Sequence, residues 1–237
     1  MQKPLGRPPK AAIIIPCYNC GDVIRDVVER CLRYSNDILL VNDGSDGDCA
    51  ALLETLPARV IGWPDNRGKG AALLAGFRAC LEQPGWDVLI TVDGDGQHAP
   101  EDIDTFLRRY QETGAGLIIG RRDFAQSEVP LVRRSANQLS SGMISKLFDL
   151  SIHDLQCGFR LLDREAVVTL LPYLANTGFA METEMVLWAR RLGVAIDEAP
   201  VQCIYTAESH VRSSWKPLLD SWRIAKVVVR HWRDGRH

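Results

Sequence analysis

The sequence predicts an α/β protein in which helices flank a mostly parallel central sheet. Short apolar runs bounded by turn residues alternate with stretches of helical spacing, the pattern that builds parallel strands joined by right-handed crossovers. Three of those runs end in polar loops rich in Asn, Asp and Gly, and parallel strands bring such loops to one sheet edge, where open α/β folds bind their ligands.

Taken in order, Ala11 to Pro16 is a short, β-branched apolar strand, and Gly21 to Tyr34 follows with Val23, Val27, Cys31 and Tyr34 at helical spacing. A second strand, Ile38 to Val41, stops at Asn42-Asp43-Gly44-Ser45-Asp46, and a helix is expected at about 47–56. A strand at Arg59 to Gly62 and a helix from Gly68 to about Leu81 lead to the central run Val88-Leu89-Ile90-Thr91-Val92. Pro100 sits in the favoured first-turn position of another helix, and Leu117 to Gly120 reads as a strand. Beyond Gly120 the pattern is less regular, with a helix expected from about Arg134 to Phe148. The last helix, about Trp215 to Trp232, spaces Leu218, Trp222, Ala225, Val229 and Trp232 along one face. Six Lys/Arg against two Asp between Trp215 and His237 make it basic, which suits a membrane interface. Docking of that stripe onto the protein's own core is the alternative, since periodicity does not say which apolar surface a stripe meets.

With 237 residues, 46% hydrophobic and 24% charged, the chain can bury a full core, and a net charge of -2 gives no global reason to expect nucleic acid. Its seven cysteines are an odd, scattered set, which points to a reducing cytosol rather than a disulfide framework. Residues 1–10 form a basic, proline-rich tail, and the five-residue apolar run after it is too short for the core of a signal peptide. No stretch approaches the roughly 18 apolar residues of a membrane span. The expectation is a cytoplasmic protein, either soluble or peripheral on the membrane surface.

The central run ends abruptly in Asp93-Gly94-Asp95-Gly96-Gln97-His98. Its glycines allow a tight turn, so Asp93 and Asp95 can converge, and hard oxygen ligands of this kind suit Mg2+ or Mn2+. A polar turn with incidental acids is the bland alternative. A calcium loop is excluded, because His98 occupies the required glycine, Asp104 stands in place of a bidentate Glu, and a strand precedes the loop. The loop Asp65-Asn66-Arg67-Gly68-Lys69-Gly70 opens a helix whose free N–H groups and lysine favour phosphate, although its spacing is not that of a Walker loop. Arg121, Arg122, Arg133 and Arg134 flank the exit of the 117–120 strand and are either solvated or an anion clamp. The blocks 154–160, 178–185 and 209–212 each read as a turn, a charged helix start or a loop.

Together these residues resemble a family 2 glycosyltransferase of the GT-A type, near the dolichyl-phosphate mannosyltransferase and polyprenyl-phosphate glycosyltransferase branch. Pro16-Cys17-Tyr18-Asn19, Val41-Asn42-Asp43-Gly44-Ser45, Asn66-Arg67-Gly68-Lys69-Gly70, the 93–101 block, Cys157-Gly158-Phe159-Arg160 and Glu182-Thr183-Glu184 are similar to that family's motifs in order. Cys20 and Asn42 depart from the family pattern. The resemblance implies a catalytic domain over 11–212, followed by the amphipathic helix over 213–237. It implies that Pro16, Tyr18, Asn19, Asp43, Lys69, Gly94 and Arg212 surround a nucleotide-sugar donor, that Asp93, Asp95 and Gln97 hold a metal, and that Arg122 and Arg134 approach phosphate.

The implied reaction is an inverting transfer from a GDP- or UDP-sugar to a polyprenyl phosphate, an acceptor that needs aiming but no base. Glu182 and Glu184 are the candidate bases if the acceptor is a hydroxyl. Two further alternatives stand at this point: a thioredoxin-type pair in Cys17-Tyr18-Asn19-Cys20, and a non-catalytic sugar-nucleotide-binding protein.

Overall fold

A computed structural model describes residues 7–123, 131–204 and 217–234, with the side chains of 123, 131–137 and 217–219 excepted. Its seven strands are β1 (Ala11–Cys17), β2 (Ile38–Asp43), β3 (Arg59–Trp63), β4 (Val88–Thr91), β5 (Leu117–Asp123), β6 (Arg160–Asp163) and β7 (Ile196–Gln202). The helices are α1 (Val23–Cys31), α2 (Gly47–Glu54), α3 (Lys69–Leu81), α4 (Ile103–Thr113), α5 (Leu131–Leu147), α6 (Arg164–Leu170), α7 (Ala180–Arg191) and α8 (Pro217–Asp234).

The strands lie in the order β3-β2-β1-β4-β6-β5-β7, and only β6 runs against the others. The chain therefore winds outward from β1 through β2 to β3, then crosses back to place β4 on the other side of β1. That reversal is the topological switch point at which doubly wound sheets open a crevice. The expected apolar runs are its centre, for Ile13, Ile14, Ile15, Leu40, Leu89 and Ile90 have no exposed surface. A run apolar on both faces is the signature of a strand covered by helices on both sides.

The three polar loops do share the carboxyl edge. β2 continues through Asn42 and Asp43, which pair with Gly62 and Trp63, so the polar end of this run is still sheet rather than loop. The later strands carry weak signals. β6 is only four residues long and begins on Arg160, while β7 is an edge strand containing Pro200. An edge position tolerates a residue that cannot donate to a ladder.

The last helix docks on α7, but not by the expected stripe. Asp220, Ile224, Val227 and His231 face the core, the His231 ring lies edge-on to Trp188 at 5.0 Å, and Arg191 donates to the carbonyl of Asp234 at 3.1 Å. The neighbouring stripe faces outward, with Trp222 55% and Val229 52% exposed. Among the described residues no helix is long and apolar enough to cross a membrane.

Candidate active site

A cleft of about 720 Å³ opens at the carboxyl edge, beyond the ends of the neighbouring strands β1 and β4. Pro16, Cys17, Tyr18 and Cys20 line it from the end of β1, Asp43 from the end of β2, and Asn66 to Lys69 from the start of α3. Asp93, Gly94 and Asp95 line it beyond the end of β4, and Thr177 to Phe179, packed on the start of α3, line it with Asp220 and Arg223.

Asp43 is buried and fully engaged. Its carboxylate accepts from Trp63 Nε1 at 2.7 Å and from the backbone N–H groups of Arg67 and Gly68 at 2.8 Å each. It thereby clamps the loop before α3 into place. Gly68 has φ of +99°, a conformation that side-chain-bearing residues avoid. Asn19 has a similar role on the other side, since its backbone N–H donates to Ser45 Oγ at 3.1 Å and its side-chain oxygen accepts from Asp46 N at 2.8 Å.

The charges at the centre form a chain. Lys69 Nζ lies 2.7 Å from Asp93 Oδ1 and 2.7 Å from Glu182 Oε1. Burial works against the Lys69 ammonium, but Asp93 and Glu182 outweigh it and hold its pKa above the ordinary value. Burial likewise works against the Asp93 carboxylate, yet Lys69 and then His98, whose Nε2 is 3.5 Å away, keep it well below the usual range. Asp95 has no ion-pair contact among the described residues, and Lys69 and His98 act on it only weakly. Burial and then the Asp93 charge push its carboxyl upward, while the backbone N–H of Gln97 donates to it at 3.0 Å. A carboxylate strained by a like charge is one that a bound cation would relieve.

The floor beneath Asp93 is Gly158. A Cβ there would fall on Lys69 Nζ and within 2.7 Å of both Asp93 oxygens, so the C-G-F-R block contributes an absence of side chain. The next residue but one, Arg160, is fully buried and donates to the carbonyls of Cys157 at 2.8 Å, Glu182 at 2.7 Å and Leu155 at 2.6 Å. One side chain thus fixes the Gly158 loop to the first turn of α7.

The remaining expected residues lie apart. Glu182 stands behind Lys69 rather than in the cleft wall, and Glu184 accepts the N–H groups of Ala175 and Asn176 at 3.0 and 2.9 Å, shaping the loop that carries Thr177. Arg122 makes a bidentate pair with Asp154 at 2.7 and 2.9 Å and lines a separate cavity with Arg121, Gln138 and His153. Arg134 lies in the first turns of α5 with its side chain outside the described residues, and Arg212 lies outside them altogether. Cys17 and Cys20 are both buried thiols, Cys20 packing against Gly94. His98, already inside the 93–101 block, acts on Asp93 without lining the cleft, whereas Asp220 and Arg223 are additions that the sequence pattern did not single out. An acid and a base three apart on a helix were the available signal for the last two.

No cluster of three or more His, Cys, Asp and Glu side chains forms a metal cage among the described residues. The donor set fits a different kind of site, in which two hard carboxylates hold a divalent cation whose other positions are left to water and phosphate oxygens.

Residues 12–171 match the model of glycosyl transferase family 2. The UDP-N-acetylglucosamine–dolichyl-phosphate N-acetylglucosaminyltransferase of Methanococcus voltae is 26% identical over 223 residues, covering 85% of this chain and 88% of that one. The polyprenol monophosphomannose synthase of Mycolicibacterium smegmatis is 30% identical over 204 residues, covering 81% and 76%. Among solved structures, glucosyl-3-phosphoglycerate synthase from Mycobacterium tuberculosis, in complex with Mn2+, UDP-glucose and phosphoglyceric acid, superposes with a TM-score of 0.72 at 15% identity, covering 94% of this chain and 80% of that one. The chain belongs to glycosyl transferase family 2 and is a glycosyltransferase of GT-A architecture.

Proposed function

We propose that the chain transfers a sugar, with inversion, from a GDP- or UDP-sugar to a polyprenyl phosphate at the cytoplasmic face of a membrane, with Mg2+ or Mn2+ bound by Asp93, Asp95 and Gln97. One observation carries the choice of acceptor. The two glutamates suited to deprotonating a hydroxyl are both engaged outside the cleft wall, Glu182 by Lys69 and Glu184 by two backbone amides. An acceptor that is already an anion needs no base.

In this scheme the nucleoside rests between Tyr18 and the Asp43 clamp, with its diphosphate over the Asp93 turn. A cation bound there supplies Lewis-acid neutralisation of the departing nucleoside diphosphate. An acceptor phosphate oxygen attacks the anomeric carbon from the opposite face, and the bond to the donor's diphosphate oxygen breaks, its electron pair leaving with the nucleotide. No proton changes hands. Lys69 keeps Asp93 ionised throughout.

The named relatives support the lipid-phosphate acceptor, and the fold neighbour's complex supports the metal and donor class. The catalytic unit is then 11–212, and within 213–237 it is α8 that meets the lipid, presenting Trp222 and Val229 beside Lys226, Arg230 and Arg233.

The test is transfer from GDP-, UDP- and dTDP-sugars to matched polyprenyl phosphate and polyprenol in the presence of Mn2+. Sugar on the phosphate acceptor alone is expected. Glycosylation of the polyprenol alone would overturn the proposal.

A further inference from the structure

Arg223 enters the cleft from α8, beside the Thr177–Phe179 segment that packs on the start of α3. It follows Asp220 by three residues on α8, and its Nη1 donates to Asp220 Oδ1 at 3.2 Å. Asp220 is only 3% exposed, on the same stripe as Ile224 and Val227, so the anchor is set by the packing of the helix. The guanidinium itself is about half exposed and reaches to 3.4 Å from the position a Cβ would take on Gly178.

Among the described residues three cations line the cleft, and Lys69 is the one enclosed by carboxylates. Lys69 is held between Asp93 and Glu182, and Arg67 lies over the Trp63 ring at 4.9 Å. The Asp220 contact uses one amino group of Arg223 and leaves donors of a planar fork whose geometry matches phosphate oxygens. The neighbouring residue, Trp222, is on the outward stripe with Val229. Within one turn, α8 therefore joins an exposed apolar surface to a cationic group inside the cleft. That order, apolar outside and cation inside, complements an amphiphile with an anionic head.

We propose that Arg223, steadied by Asp220, binds the phosphate of the acceptor and fixes it opposite the donor. This rests on the reading of the acceptor as a lipid phosphate. The donor's diphosphate carries the same chemistry; in the proposed function it is held by the cation at Asp93 and Asp95, and separate KM values for donor and acceptor tell the two phosphates apart.

The experiment compares full-length wild type with Arg223→Gln and Arg223→Lys, using a short-chain prenyl phosphate as acceptor and measuring KM for acceptor and donor separately, with the unfolding midpoint as a control. The expected result is an acceptor KM raised at least about tenfold in Arg223→Gln, a donor KM within about twofold, an unchanged midpoint, and partial recovery in Arg223→Lys. An unchanged acceptor KM, or a rise confined to the donor KM, overturns the proposal while wild-type transfer to the phosphate acceptor leaves the proposed function standing. Wild type that glycosylates prenol but not prenyl phosphate overturns both.

Discussion

Replacing Glu182 with Gln separates a positioning role from a catalytic one. Gln keeps an oxygen that can still accept from Lys69 Nζ, now 2.7 Å away, and removes one of the two negative charges that hold the ammonium. The Glu182 side chain is 4% exposed, so solvent does little to screen the loss. A hydrogen bond to a charged group contributes about 1.5–3 kcal/mol and a neutral one about 1, so the variant should unfold about 0.5–2 kcal/mol more easily. The Asp93–Lys69 contact survives, and with it the ionised acid at the Asp93–Asp95 turn. Initial rates at saturating donor and prenyl phosphate should therefore fall less than about tenfold. A general base contributes about 10²- to 10⁴-fold. A loss in that range, in a variant whose unfolding midpoint is near wild type, would refute the assignment of Glu182 to positioning and restore a hydroxyl acceptor.

Gly158→Ala puts a methyl group against both Asp93 oxygens and Lys69 Nζ, so turnover should fall at least about tenfold, with an overpacking cost of about 1–3 kcal/mol; activity within twofold of wild type would contradict the close approach. A pH effect is expected away from the cleft, where a hydrogen bond from Arg30 Nε at 3.0 Å holds the Glu101 carboxyl below its usual value. Because the folded pKa is the lower one, this stabilisation is full above the unfolded value of about 4.3 and is lost as pH falls below it. Arg30→Gln should thus cost about 0.5–1 kcal/mol at neutral pH, a part-exposed pair being screened, and nearly nothing in strong acid. A gap independent of pH in urea titrations would count against it.

The sheet centre was legible because β1, β2 and β4 are apolar on both faces and end in polar residues, a pattern with few other solutions. β6 and β7 were not, since one is four residues long with a buried Arg160 at its head and the other is a mixed edge strand. A fully buried arginine is unreadable from pattern, because its partners are carbonyls that any sequence supplies. Glu182 and Glu184 read as the charged start of a helix, and only the fold reveals that α7 buries both. On α8 the helical period was readable but not the docking face: two stripes interleave, and the one bearing Asp220 and His231 packs inward. The acidic turn at Asp93 was visible as a motif, whereas its electrostatics depend on Lys69 and His98, which reach it through the fold.

The central claim is that Asp93 and Asp95 hold a divalent cation that serves the departing diphosphate. Titration of Mn2+ into the wild-type chain and into the Asp93→Ala/Asp95→Ala double variant, each with the preferred nucleoside diphosphate present and absent, tests it directly. Lys69 keeps Glu182 as a partner in that variant, so the fold should persist. Nucleotide binding that tightens at least about tenfold with Mn2+ in the wild type, and loses that dependence together with sugar transfer in the variant, is the predicted result. Mn2+-dependent binding or transfer retained by the variant would contradict the account.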